Sequence, residues 1–128
     1  KKVIPLPVSV PSHCSLMQSA AERLIEVFDQ ITFDSLKIPL VTNVDARPVR
    51  RSEEVREALG RQLTHPVRWD DGVSVMISCG CTRFVEVGPG KILSGLVKRI
   101  ALDLNQAVSL FHTDDAGSLK TTISGLKE

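Results

Sequence analysis

The sequence predicts the α/β class, with short parallel strands joined by crossover helices. Three observations predict it. Apolar residues recur at helical spacing in four stretches between positions 15 and 100. Short apolar or β-branched runs at 38–44, 83–87 and 107–111 alternate with them. Breakers stand at the junctions: Pro39, Pro66, Gly80 and the Gly88-Pro89-Gly90 turn.

The first helix is expected over 15–29. Leu16, Ala20, Leu24 and Phe28 lie at a spacing of four with Met17, Ala21 and Ile25 beside them, so one face is continuously apolar. Ser15 and Gln18 have the spacing of a capping box. Ile38 to Val44, behind Pro39, is predicted to be a buried strand. Ser52 is then expected to cap a second helix, with Glu53 and Glu54 in the first turn favouring the dipole and Val55, Leu59 and Leu63 on the inner face. Pro66 opens a third helix, whose apolar face is Trp69, Val73, Met76 and Ile77 and whose stop is Gly80. Arg83 to Val87 is the next strand. It leads through the glycine-rich turn to a fourth helix with Ile92, Leu93, Leu96, Val97 and Ile100 at helical spacing and Lys98 and Arg99 near its end. Ala107 to Phe111 reads as a last strand and Asp114 to Leu126 as a small terminal helix. There is no internal repeat.

Composition narrows the functional classes. The 128 residues are 42% hydrophobic and 24% charged, ordinary for a globular protein and enough for one core burying about 65% of the unfolded surface. Sixteen basic against fifteen acidic residues give a net charge of +1, which points to neither a nucleic acid nor a membrane surface. The apolar runs fall far short of the ~20 residues that span a bilayer, and no leader pattern precedes them, so a cytoplasmic location is expected. Cys14, Cys79 and Cys81 are odd in number and lack Cys-x-x-Cys spacing, which speaks for reduced thiols over a disulfide framework or structural zinc. His13, His65 and His112 are scattered among different elements, and no metal site or cofactor is expected.

His13 is the residue placed to do chemistry. It ends the turn-like run Val10-Pro11-Ser12-His13 directly before the first helix, and Pro11 stiffens the approach by fixing its own φ. A pre-organised imidazole in such a place suits a general base. Cys14 is no partner for it, since adjacent side chains point apart. The Gly88-Pro89-Gly90-Lys91 turn invites a phosphate-loop reading, but a Walker motif would need glycine in place of Val85 and serine or threonine in place of Ile92. A dinucleotide fingerprint would need glycine in place of Leu93. It is read as a structural turn.

Four segments in order carry a resemblance to a known family: Leu6-Pro-Val-Ser-Val-Pro-Ser-His13-Cys-Ser-Leu-Met17; Pro39-Leu-Val-Thr-Asn43-Val-Asp45; Arg61-Gln62-Leu63 with Pro66-Val-Arg-Trp69; and Val85-Glu-Val-Gly-Pro-Gly-Lys91-Ile-Leu-Ser-Gly-Leu96. The chain resembles the C-terminal part of the malonyl-CoA:acyl-carrier-protein transacylases. The resemblance implies part of an α/β-hydrolase-like acyltransferase large subdomain over residues 8–128, with residues 1–7 as the exit from an inserted ferredoxin-like subdomain. It implies His13 as general base and the backbone carbonyl of Gln62 as the group that orients it, in place of a carboxylate. Asn43 is a candidate for contact with substrate. Malonyl-CoA, acyl carrier protein and the missing N-terminal portion of the enzyme are the implied partners.

One departure is large. The family's nucleophile is a serine in a Gly-x-Ser-x-Gly elbow, and no serine here has that setting; the nearest, Ser78, has Gly80 downstream but Met76 upstream. With no initiator methionine either, the expectation is a portion of a longer acyltransferase, inactive alone. Two alternatives remain open: a polyketide-type acyltransferase domain taking another acyl group, disfavoured by Val10-Pro11-Ser12 before His13, and a non-catalytic interaction module of the same fold.

Overall fold

A helix pair and a β-hairpin lie in the first of two compact units in the computed structural model, which ends at residue 72, and a parallel β-α-β unit with a terminal helix lies in the second, from residue 73. The structure describes residues 10–127, so the expected subdomain exit at 1–7 lies outside the described residues.

In the first unit, one turn of 3-10 helix at Ser15–Met17 leads into α1, Gln18–Phe28. The expected capping box does not form. Neither Cys14 nor Met17, the residues at the cap positions, makes a side-chain cap bond, and Gln18 Nε2 instead donates forward to Glu22 Oε1 at 3.0 Å. The strand expected over 38–44 shrinks to β1, Leu40–Val41, paired antiparallel with β2, Pro48–Val49. The cause is local. The chain turns back within 42–47, where the Thr42 amide donates to the Arg47 carbonyl at 3.1 Å and the Ala46 amide to the Thr42 carbonyl at 2.9 Å. A connection this short permits only antiparallel pairing. Nor is the run wholly buried, because Ile38 is 77% exposed.

Helix α2, Ser52–Arg61, begins one residue earlier than expected. Arg51 takes the cap position with extended backbone, and the Ser52 hydroxyl is spent on Glu53 Oε1 at 3.0 Å, so Ser52 does not cap the helix. Val55, Ala58 and Gly60 form its buried face, while Leu59 and Leu63 are half-buried. Gly60 lies against Ile25 of α1; a β-carbon there would be 3.6 Å from the Ile25 side chain, so the missing methyl lets the helices approach. Arg56 bonds Asp29 just past the end of α1, and Phe28 meets Phe33 edge to face at 5.2 Å. Ala21, Val44, Ala46, Val49, Val55 and Ala58 are the buried apolar residues of this unit. Each buried Val contributes about 1.5 to 3 kcal/mol relative to exposure.

Helix α3, Trp69–Ser78, starts three residues beyond Pro66 because the Arg68 amide is taken by the Asn43 carbonyl at 2.8 Å; the first helical bond then runs from the Gly72 amide to the Arg68 carbonyl. It ends at Gly80, φ 90°. The Gly80 amide donates to the Ile77 carbonyl and the Cys81 amide to the Met76 carbonyl, the paired bonds of a Schellman stop. Val73 is fully buried.

In the second unit, β3, Arg83–Glu86, pairs in parallel with β4, Ser109–His112, in the register Arg83 to Ser109 through Glu86 to His112. Helix α4, Ile92–Asp103, makes the crossover, as a parallel pair requires. Its buried face is Val97, Ile100 and Ala101, whereas Ile92 is 78% exposed and Leu93 and Leu96 are 42% exposed. Helix α5, Ala116–Gly125, is started by a capping box between Asp115 and Ser118, and the Thr122 hydroxyl ties it to the His112 carbonyl at 2.7 Å. The chain is thus α/β, with parallel strands and a crossover helix. No helix among the described residues is long and apolar enough to cross a membrane.

Candidate functional site

His13 lies in the left-handed region, φ 61°, which bulky residues avoid. The turn around it is held locally. The Ser12 amide donates to the Val10 carbonyl at 2.8 Å, and the Met17 amide to the Cys14 carbonyl at 3.0 Å. Cys14 Sγ donates to the Pro11 carbonyl at 3.1 Å, so the thiol is turned back onto its own loop. The half-buried imidazole reaches across to the end of α2, where its Nδ1 lies 2.8 Å from the carbonyl oxygen of Gln62. A carbonyl only accepts. Nδ1 therefore carries the proton in this contact, and the neutral ring keeps its lone pair on Nε2.

The Gln62 carbonyl is available because of where it stands. Gln62 is the C-terminal cap of α2, and the last carbonyls of a helix have no partner within it. Its neighbour Arg61 offers its own carbonyl to the Thr64 amide at 3.1 Å and to His65 Nδ1 at 2.9 Å. Gln62 is left to His13.

Asn43 is exposed in the 42–47 turn and lines, with Thr42, Ala58, Leu59 and Gln62, a hollow of about 210 Å³. His13 is not part of that lining. The structure thus brings His13 and Gln62 into direct contact, and puts Asn43 beside Gln62.

Two charged groups escaped notice in the sequence. Asp45 accepts from both terminal nitrogens of Arg61, at 3.0 and 2.6 Å. The hydrogen-bonded Arg61 guanidinium holds the Asp45 carboxyl below the usual carboxylate range, and the same bond raises Arg61. Glu86 accepts from the Leu93 amide at 3.0 Å, the Ser94 amide at 2.8 Å and the Ser94 hydroxyl at 2.6 Å. Those bonds, the Ser94 hydroxyl first, also lower its carboxyl. Glu86 therefore occupies the amides at the start of α4 that a phosphate would need, which gives a physical reason why Gly88-Pro89-Gly90 is a turn and not a phosphate loop. In both cases the usable signal was a charged residue inside a quoted segment, beside a turn or helix end.

Ser78, the serine with the nearest approach to an elbow, is the last residue of α3, and its hydroxyl donates back to the Ser74 carbonyl at 2.8 Å. Such helical back-bonding is unlike the strained strand-to-helix turn that exposes a nucleophile. Among the described residues, no three His, Cys, Asp or Glu side chains are grouped to hold a metal ion.

No protein-family model matches the chain. It is 48% identical over 100 residues to the malonyl CoA-acyl carrier protein transacylase of Escherichia coli strain K12, an alignment covering 78% of this chain and 32% of the relative. The crystal structure of the corresponding enzyme from Streptococcus pneumoniae superposes with a TM-score of 0.87 at 38% identity, covering 98% of this chain and 39% of that one. A malonyl-transacylase in complex with a type II PKS acyl-carrier protein superposes with a TM-score of 0.85 at 41% identity, over 95% of this chain and 38% of that one. The chain thus spans between about a third and two fifths of the length of the proteins it matches, and over that span it belongs to the malonyl CoA-acyl carrier protein transacylase family.

Proposed function

We propose that residues 8–128 are the C-terminal part of the large subdomain of a cytoplasmic acyltransferase. The complete enzyme moves a malonyl group from malonyl-CoA to the phosphopantetheine thiol of acyl carrier protein. The observation that carries this reading is the 2.8 Å contact from His13 Nδ1 to the Gln62 carbonyl, which leaves Nε2 as proton acceptor. His13 is the general base. It takes the proton of a serine hydroxyl, supplied by the portion of the enzyme outside these residues, as the oxygen attacks the thioester carbon. The carbon-sulfur bond breaks, and the coenzyme A thiolate leaves with the proton that His13 returns. In the second half the carrier thiol gives its proton to His13 and attacks the acyl-serine, and the serine oxygen is reprotonated as it departs.

The Gln62 carbonyl keeps the ring in the tautomer this requires and stabilises the imidazolium as it forms without adding a second buried charge. Asn43, in the hollow next to Gln62, contacts the substrate. The known carrier-protein complex of a structural relative supports acyl carrier protein as the acceptor. Intact-mass measurement after incubation with malonyl-CoA tests the reading. The complete enzyme should gain one malonyl group on serine and the 128-residue chain alone none; a malonylated short chain, or a complete enzyme that gains nothing, would overturn it.

A further inference from the structure

The carbonyl that holds His13 sits at a helix end, and helix ends fray unless something pins them. The 42–47 turn supplies the pin. Thr42, Val44 and Ala46 are buried, at 5%, 8% and 5% exposure, so the intervening Asn43 and Asp45 are presented by an anchored backbone. Ala46 has φ 51°, which tightens the turn further. From this base Asp45 holds the last residue of α2, Arg61, through two bonds of 3.0 and 2.6 Å that fix the plane of the guanidinium. Behind it, Glu57 Oε1 stands 3.5 Å from Arg61 Nε.

The same turn also grips the chain beyond the helix. The Asp45 carbonyl accepts from Arg68 Nη1 at 3.3 Å, and the Asn43 carbonyl from the Arg68 amide at 2.8 Å. Residues 61 and 68 are thus both tied to 43–45, and Gln62 lies inside the bracket.

We propose that Asp45, acting through Arg61, is a positioning residue that aims the Gln62 carbonyl at His13 Nδ1 and so fixes the imidazole for proton transfer. The proposal rests on the general-base reading of His13 given above. Asp45 touches no reacting atom; its effect passes through the last turn of α2.

The test uses the complete enzyme, with two readouts: the kcat and KM of malonyl transfer, and the tautomer of the His13 ring from its 15N NMR shifts. Asp45→Ala should lower kcat about tenfold, the usual weight of an orienting partner, leave KM within about twofold, and reduce the Nδ1–H signal in favour of the other tautomer. Arg61→Lys, which keeps the charge but loses the fork, should fall between Asp45→Ala and wild type. Arg56→Gln breaks a different tie of α2, to Asp29 just past the end of α1, and should leave both readouts unchanged. Should Asp45→Ala fail to fold, Asp45→Asn and Arg61→Lys carry the same readouts.

Wild-type kcat and tautomer in Asp45→Ala, beside an inactive His13→Ala, would overturn the positioning role and leave the base reading standing. A fall in kcat with an unchanged tautomer signal would overturn it as well. A His13→Ala enzyme with wild-type kcat would remove the base reading and this proposal with it.

Discussion

His13 and Gln62 are 49 positions apart in the chain, yet an imidazole nitrogen of one and the main-chain oxygen of the other meet at 2.8 Å. The contact joins a left-handed turn to the end of a helix and involves no carboxylate. In the complete enzyme His13→Ala should slow acyl-serine formation by about 10² to 10⁴, the range general-base help supplies. Single-turnover measurement with malonyl-CoA checks this, and an unaltered rate would remove His13 from the mechanism.

On the proposal that Gln62 orients His13 through its backbone carbonyl, the identity of its side chain should matter little. Gln62→Ala is expected to keep turnover within about tenfold of wild type. Gln62→Pro, which loses the amide that now bonds the Ala58 carbonyl at 3.0 Å, should abolish most of it, since proline disturbs a helix by about 3 kcal/mol. Asp70→Asn and Asp71→Asn should be near wild type; a loss at either as deep as that of His13→Ala would mean that a carboxylate orients the ring.

Glu86 should give the fold a measurable acid dependence. Its carboxyl titrates below the usual 4.5 in the folded chain because Ser94 and Leu93 donate to it. Its stabilising effect is therefore fully present above pH 4.5 and disappears as the pH falls through the lower folded-state value. Thermal melts of Glu86→Gln and wild type should differ at neutral pH and converge in acid. Parallel curves at every pH would show that the charge is irrelevant to the start of α4.

Gly80 isolates the cost of backbone conformation. A β-carbon there would meet nothing within 4 Å, but φ is 90°. Gly80→Ala should destabilise by about 1 to 2 kcal/mol from the left-handed backbone alone. Denaturant titration reads the loss, and stability equal to wild type would mean that the Schellman stop re-forms in another geometry.

Taken alone, the 128 residues should not remain solitary. Val87 and Ile92 are 82% and 78% exposed, Leu16 and Leu102 74% and 68%, and among the described residues the parallel sheet has two strands and no further partner at its edges, a pattern normally covered on both faces and sides. Analytical ultracentrifugation should show self-association. Sedimentation as a monomer with a single cooperative melt would contradict this.

Helices were legible where apolar spacing was regular: α1, α2, α3 and α4 all lie where periodicity put them, within a few residues at their ends. Their starts were not. Ser15 and Ser52 matched cap spacing, but Ser15 lies inside the opening 3-10 turn and the Ser52 hydroxyl bonds Glu53, while Asp115 with Ser118 formed the capping box that drew no attention. The run 38–44 misled because apolar content says nothing of pairing direction, which the 42–47 turn decides. The closeness of His13 to Gln62 rested on family resemblance, as no periodicity relates residues so distant in sequence. The Asp45 to Arg61 bridge was invisible for the same reason.

The positive φ of His13 limits what can replace it. Glycine and asparagine accept that conformation readily, alanine less so, and β-branched residues hardly at all. A substitution at 13 therefore changes two things at once, the ring and the path of the main chain into α1. Glycine and asparagine variants separate them: both keep the path and delete the proton acceptor, whereas valine alters the path itself. Stereochemistry thus constrains position 13 independently of the proposed chemistry, and His13→Ala is read beside the glycine and asparagine variants.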